Sequence, residues 1–432
     1  MNDISLDYVD FFNEERINRF VSKFSFPRLA GTEGEKEAVE LVSENFNKIG
    51  FDKNQIIKEK FEFSDFYSTT LIKIIAAISL NALLVFVLVM YLYYVYTFII
   101  IGVMAVFIFL IGKGLKHPEK KGFWGEYFGK THEATNVFVK IPAKRLNEKE
   151  AGNIIVSAHL DSKSQSFKTY WRVLVYRIWL FCGLILGASY FYLLVEYIGF
   201  KIINPSIVEI FNLEINVVRL CVIVLTAIIS SSNIMLMFLN TYNNSPGALD
   251  NASGMAIVFE LSNYFKKRDQ LDNFNVWFCQ FSAEELGTMG SRNFVNNHEN
   301  QFVKNKTFQI NFDMVSAANR KKNQVEYLKS YGVLPRKKIS PLLSKYFEEA
   351  AKKEKIKIHG FHISTGAHLD SVPFHLRGYD AIDITTRAGA ILSHSKLDAP
   401  DKVDARVLIE SCKIALQVMG NLDKDYKTLC EI

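Results

Sequence analysis

The chain has 432 residues, 49% hydrophobic and 13% aromatic, with 51 Lys+Arg against 45 Asp+Glu and a net charge of +6. That length predicts roughly two or three domains with ample core material. The lysines are scattered through amphipathic stretches and form no dense basic face, which excludes a nucleic-acid partner. Five cysteines, Cys182, Cys221, Cys279, Cys412 and Cys430, are an odd number, with the first two inside apolar runs, so no disulfide framework is expected.

In chain order, MNDISLDYVDFFNEERINRF is acidic and amphipathic without an apolar centre, and is not expected to be a signal peptide. Residues 33–48, EGEKEAVELVSENFNK, carry Ala38, Val39, Leu41, Val42 and Phe46 at helical spacing, and Gly50 supplies a stop. Two apolar runs follow, Leu71–Leu92 and Tyr94–Gly112, each near the ~20 residues that cross a bilayer, separated by almost nothing. A second pair spans Tyr176–Ile198 and Val217–Leu239, joined through Asn204-Pro205. Buried helices of a soluble core would carry polar residues at intervals that these runs lack. Two transmembrane hairpins, four spans in all, are therefore expected.

Lys113, Lys116, Lys120, Lys121, Lys168, Arg172 and Arg177 flank the side of the long polar segments, against mainly Lys201 and Arg219 opposite. This bias predicts a multi-pass membrane protein with its polar bulk in the cytoplasm. The domain plan is one α/β domain built from 1–69, 113–173 and 240–432, interrupted by hairpins at 70–112 and 174–239.

Within that domain, Asn136–Ile141, Asn153–Ala158, Phe274–Phe281, Thr307–Phe312 and Tyr379–Thr385 read as strands. They alternate with helices near 253–267, 340–354 and 404–420. NIIVSA is apolar along its whole length, as a strand buried on both faces must be. The alternation predicts a mixed, mainly parallel sheet with helices on both faces, and functional loops at the carboxyl ends of the strands.

Polar residues collect at those ends. His159 and Asp161 follow the second strand, Glu284 and Glu285 the third, and Asp313 the fourth. SPGALDNASG adds Asp250 and ILSHSKLDAPDKVD adds His394. Singly each is weak, since an Asp at a helix cap is commonly structural. Together, imidazoles and carboxylates gathered on one face suit zinc and leave a position for water. Water activated by the metal is a nucleophile at neutral pH, and adjacent Glu284 and Glu285 can divide metal binding from proton transfer.

PRLAGTEGEKEAVELV, NIIVSAHLDS, SPGALDNASGMAIVFEL, FSAEELGTMGSRNFV, INFDMV and SHSKLDAPDKVD occur in this order over nearly all of the polar chain. As an ordered set they resemble the aminopeptidase/glutamate carboxypeptidase family of zinc exopeptidases. The resemblance implies a two-zinc site: Asp250 bridging both ions, His159 and Asp313 completing one, Glu285 and His394 completing the other. It implies Glu284 as general base, and Asp161 as the group that orients the His159 ring.

AHLDS occurs twice, at Ala158–Ser162 and Ala367–Ser371. The second copy lies among His359, His362, His368 and His375, which lack a nearby carboxylate set and are read mainly as structural or pocket-lining. The resemblance makes this stretch a loop of Asp, His, an aromatic and Gly; Asp370, Phe374 and Gly378 fit, while Ser371 stands where His is usual.

The expected activity is metal-dependent exopeptidase, most simply aminopeptidase, on peptides that are hydrophobic or membrane-associated, because the second hairpin interrupts the chain between two active-site loops. A one-zinc glutaminyl cyclase on the same fold is one alternative. A carboxypeptidase is another, and would need a cationic clamp from residues such as Arg292, Arg377 or Arg387. A transporter or receptor with an inactive domain is a third, disfavoured by the scarcity of charge in the spans.

Overall fold

The computed structural model describes residues 11–92, 117–122, 125–197, 207–210, 213–268, 270–316, 324–332, 336–363 and 369–429, with isolated positions between 99 and 109. It divides into two units, Met1–Asp65 with Glu119–Thr169 and Thr241–Ile432, and Phe66–Pro118 with Tyr170–Asn240.

The first unit is built on a nine-stranded sheet: β1 (Ile57–Ser64), β2 (Thr131–Ile141), β3 (Gly152–His159), β4 (Phe274–Phe281), β5 (Thr307–Phe312), β6 (Val325–Tyr331), β7 (Lys337–Lys338), β8 (Ile358–Ile363) and β9 (Asp380–Ile384). Their order is β1-β2-β4-β3-β5-β9-β6-β7, with β8 beside β6. β4, β3, β5 and β9 run parallel, and β2 and β6 flank them antiparallel. Every residue of β3, β4 and β5 is buried, which is why these strands carry no Asp, Glu, Lys or Arg and lie at the centre of the sheet. β1, IKEKFEFS, pairs with β2 alone and exposes most of its charged side chains, as an edge strand should.

The helix Glu33–Ile49 ends at Gly50, whose φ of 113° is the left-handed conformation that glycine adopts without a Cβ clash. The helix Ser253–Lys267 packs at the centre. Its fully buried Phe259 meets Phe24 and Phe46 at ring-centroid distances of 5.6 and 5.2 Å. Burying one such ring contributes about 2–3 kcal/mol. Ser340 and Asp404 cap the helices Pro341–Lys353 and Ala405–Lys424, accepting the N–H of Leu343 and Arg406.

The second unit contains the helices Thr70–Leu92 and Val217–Met237 and all but the first residue of Thr169–Tyr197. Leu83, Leu186, Val222 and Ile229 form a small core between them. A polar chain crosses the three helices: Trp179 Nε1 donates to Asn233 Oδ1 at 3.1 Å, and Asn233 Nδ2 donates to Ser79 Oγ at 3.1 Å. Outside that core the helix Thr169–Tyr197 presents Phe181, Leu184 and Phe191, all exposed.

Four spans were expected; among the described residues two helices are long and apolar enough to cross a membrane, within Thr169–Ser189 and Leu220–Met237. The expected span Leu71–Leu92 is helical, but its described apolar stretch, Thr70–Val85, is too short by itself. The expected span Tyr94–Gly112 lies outside the described residues apart from isolated positions.

Candidate metal centre

Five loops at the carboxyl ends of β3, β4 and β5 and beside them bring the seven residues together. β3 ends on His159, two residues before Asp161. The turn after β4 carries Glu284 and Glu285, and Asp313 follows β5. Asp250 sits in an irregular turn just ahead of the helix Ser253–Lys267, and its peptide bond to Asn251 is cis.

Asp250 is shared. Its Oδ1 lies 3.2 Å from His159 Nε2 and its Oδ2 lies 3.3 Å from His394 Nε2. Asp313 Oδ1 is 3.5 Å from the same His159 nitrogen, and Glu285 Oε2 is 2.9 Å from the His394 nitrogen. Two overlapping groups result, His159–Asp250–Asp313 and Asp250–Glu285–His394, each with its donor atoms within 4.8 Å of one another and all its residues buried. His159 Nε2, Asp313 Oδ1 and Glu285 Oε1 are buried without a hydrogen-bond partner. Buried polar atoms are rarely left so. Two donor atoms of the first group and one carboxylate oxygen of the second are thus buried without hydrogen-bond partners. This donor set of imidazole and carboxylate fits zinc.

Charge imbalance reinforces the fit. Burial alone would push the His159 imidazole down, but Glu284, Asp161, Asp250 and Asp313 outweigh it and raise it well above its usual range. Burial raises Glu284 well above the carboxylate range, helped by Asp313 and Glu285 against the opposing pull of His159. Burial and Asp250 would raise Glu285, yet His394 and Lys163 hold it down at about 2. Asp250 is pulled below the usual carboxylate range by the two histidines despite its burial.

The scaffold acts largely through main-chain hydrogen bonds. Asp161 accepts the N–H of Glu284 on Oδ1 at 3.1 Å and that of Glu285 on Oδ2 at 3.2 Å. Its main-chain oxygen lies 3.1 Å from His159 Nδ1, closer than its carboxylate at 3.5 Å. The His159 ring is therefore held by the Asp161 carbonyl, and the Asp161 side chain holds the Glu pair. Asn251 binds both ends of the neighbouring loop, donating to Phe312 O at 2.8 Å and accepting from Gly254 N and Met314 N. A Cβ on Gly254 would lie 2.3 Å from Phe312 O, so only glycine admits this approach.

Arg28 and Lys163 are the cations beside this acidic set that sequence reasoning missed. Arg28 is fully buried and donates to the main-chain oxygens of Leu160, Phe26, Pro246 and Gly247. Burial pushes it down to about 10, opposed by Asp398, Asp161, Asp250 and Glu285. Lys163 Nζ lies 3.0 Å from Glu285 Oε2 and donates to Glu285 O at 2.6 Å. Three non-glycine residues here have left-handed backbones: Ala283 before Glu284 (φ 55°), Met314 after Asp313 (φ 52°) and His394 itself (φ 59°). Such conformations cost on the order of 1–3 kcal/mol each and concentrate at functional sites.

The second AHLDS supplies no donor to either group, although its Asp370 is close enough for its charge to act on Glu284 and to feel His159 and Asp313. Its Ala367 and His368 fall outside the described residues. Asp370 is buried, its carboxyl pushed up to about 7 chiefly by burial. Ser371 donates its hydroxyl to Asp383 Oδ2 at 2.6 Å. His359 and His362 lie in β8, against Arg387 and Ser330 respectively, while His375 is half-buried in the helix Val372–Leu376. Of the arginines weighed as a carboxylate clamp, Arg292 pairs with Glu119 at 3.0 Å, Arg377 with Glu299 at 3.4 Å and Arg387 with Glu326 at 3.6 Å.

Solved structures of zinc aminopeptidases share this mixed, mainly parallel α/β fold. The structure of BSAP, a zinc aminopeptidase from Bacillus subtilis, aligns with a TM-score of 0.51 at 14% identity, covering 96% of this chain and 95% of that one. An Acidobacteriales bacterium glutaminyl cyclase aligns with a TM-score of 0.51 at 13% identity, covering 96% and 95%. At such identities the likeness is one of fold.

Residues 233–419 match the family model Peptidase family M28. Aminopeptidase YwaD of Bacillus subtilis is 30% identical over 139 residues, 32% of this chain and 28% of that relative, so the match spans little more than a quarter of its length. The family match and the aminopeptidase relatives support a metallopeptidase, a hydrolase of peptide bonds.

Proposed function

We propose that this chain is a membrane-anchored, zinc-dependent aminopeptidase. The observation that carries the reading is the Asp250 carboxylate facing His159 and His394 on opposite oxygens, beside buried donor atoms that have no protein partner. His159, Asp250 and Asp313 would hold one zinc and Asp250, Glu285 and His394 a second. Bound zinc supplies Lewis acidity that polarises a peptide carbonyl and makes water acidic near neutral pH.

The remaining steps belong to the chain. Glu284 takes a proton from water as the water oxygen bonds to the scissile carbonyl carbon, and returns it to the amine nitrogen as the C–N bond breaks. Asp161 keeps Glu284 and Glu285 in register by accepting both their N–H groups. Arg28 and Lys163 offset part of the buried negative charge.

An aminopeptidase is favoured over a carboxypeptidase because Arg292, Arg377 and Arg387 are each paired with a glutamate. The glutaminyl-cyclase alternative keeps one specific support, the equal fold likeness to such an enzyme. Anchoring is supported by the two exposed apolar helices, and the lysine and arginine bias in the sequence favours a cytoplasmic hydrolase unit. With helices of this kind inserted between the His159 and Asp250 loops, hydrophobic or membrane-associated peptides are the favoured substrates.

The test is hydrolysis by zinc-loaded full-length protein of peptides with free, acetylated and glutaminyl N-termini. Release of the first residue from free peptides only, abolished in Glu284→Gln, is the expected result. Cleavage of acetylated peptides contradicts aminopeptidase activity, and ring closure of N-terminal glutamine without hydrolysis favours the cyclase.

A further inference from the structure

The Thr169 hydroxyl lies 2.9 Å from His394 Nδ1, and Ser393 donates its own hydroxyl to Thr169 Oγ1 at 3.0 Å. Thr169 is buried and is the first residue of the helix Thr169–Tyr197, one of the two described helices apolar enough to cross a membrane. The two-stranded pair of Ser164–Gln165 with Thr241–Tyr242 brackets the inserted segment and touches the same loop, Gln165 N donating to His394 O at 3.1 Å.

We propose that Thr169 is a positioning residue that sets the His394 ring for cation binding, tying the start of an apolar helix to the affinity of the Asp250–Glu285–His394 site. The inference rests on the metal-site reading above. An imidazole that offers Nε2 to a cation carries its proton on Nδ1, and the group that accepts this proton fixes both ring orientation and basicity. For His159 that acceptor is the main-chain oxygen of Asp161, rigid at the end of a central strand. For His394 it is a hydroxyl, pinned by Ser393 and carried on the first turn of a helix. The two sites thus differ in what steadies their histidines. Displacement of the helix start moves the acceptor of one site and leaves the other untouched.

The test measures zinc affinity by chelator competition on full-length protein in detergent micelles, for wild type, Thr169→Val, Thr169→Ser, Ser393→Ala and His394→Ala. Loss of an outer partner of a metal-binding histidine typically weakens binding about 10–100-fold. Thr169→Val is expected to weaken one zinc equivalent by that factor and spare the other, with Thr169→Ser restoring wild-type binding. Ser393→Ala, which keeps the threonine, is expected to weaken the same equivalent by less. Wild-type affinity in both Thr169→Val and Ser393→Ala, with one equivalent lost in His394→Ala, overturns the inference and leaves the metal site standing. Equal weakening of both equivalents in Thr169→Val also overturns it. If His394→Ala loses no zinc, the metal-site reading falls and takes this inference with it.

Discussion

Asp398 holds Asp250 by the main chain: its Oδ2 accepts the Asp250 N–H at 3.1 Å, while Oδ1 accepts the Leu249 N–H at 2.6 Å. The Asp250 carboxylate is thereby left to face the two histidines. Asp398→Ala would leave two buried N–H groups without partners, each costing about 1–3 kcal/mol. We expect a loss of ~2–4 kcal/mol in urea unfolding together with lower zinc content. Unchanged stability and zinc content would show that the turn stands without Asp398.

Asp161 presents two oxygens to two N–H groups, from Glu284 and Glu285. Asp161→Asn keeps shape but offers one acceptor oxygen, and sets an amide N–H against a second N–H. The general base then loses its register, and kcat for peptide hydrolysis should fall about 10–100-fold. Wild-type kcat in this variant would reduce Asp161 to a bystander.

The parts of the fold that were legible are those where one force dominates. β4 and β5 were read from Phe274–Phe281 and Thr307–Phe312 because a strand buried on both faces cannot carry exposed charge. The helix Glu33–Ile49 and its Gly50 stop were read from spacing and from glycine's left-handed φ. β1, β6 and β8 were not, since IKEKFEFS, VEYLKSY and IHGFHI mix charged, polar and apolar residues, and their pairing is decided by distant partners. At the site, side chains that directly follow strands could be collected from sequence. Arg28, Lys163, Thr169 and Asp398 could not, because they act on main-chain atoms or on one another's ligands across up to hundreds of residues. Ser371, out of pattern in the sequence, has a local reason in its bond to Asp383.

Lys163 and a cation in the second group would share the Glu285 carboxylate. Like unit charges ~5 Å apart repel by about 3 kcal/mol at an effective dielectric near 20. Lys163 is slightly exposed, so part of this is screened. Lys163→Met should therefore tighten one zinc equivalent, that of the Asp250–Glu285–His394 group, roughly tenfold in chelator competition. Weaker binding in that variant would mean that the lysine orders Glu285 more than it opposes the cation.

Asp383 is fully buried, and that burial pushes its carboxyl up to about 7, against the hydrogen bonds of Ser371 and Asn311. A carboxyl whose folded value exceeds its unfolded value binds the proton more tightly when folded. Its contribution is present in full below about pH 4 and is lost as pH rises through about 7. Asp383→Asn, which mimics the protonated acid, should be more stable than wild type by ~1–3 kcal/mol at pH 8 and equal to it near pH 4. Thermal or urea unfolding at the two pH values checks this, and a variant less stable at pH 8 would contradict it.

The central claim is that Asp250 serves two cation sites at once. Zinc per chain, measured on purified full-length wild type and on Asp250→Ala after removal of free metal, tests it most directly. The account predicts two zinc ions in wild type and fewer than one in the variant, since both groups lose their shared carboxylate. Zinc-free wild type, or a variant that retains the wild-type content, would contradict it.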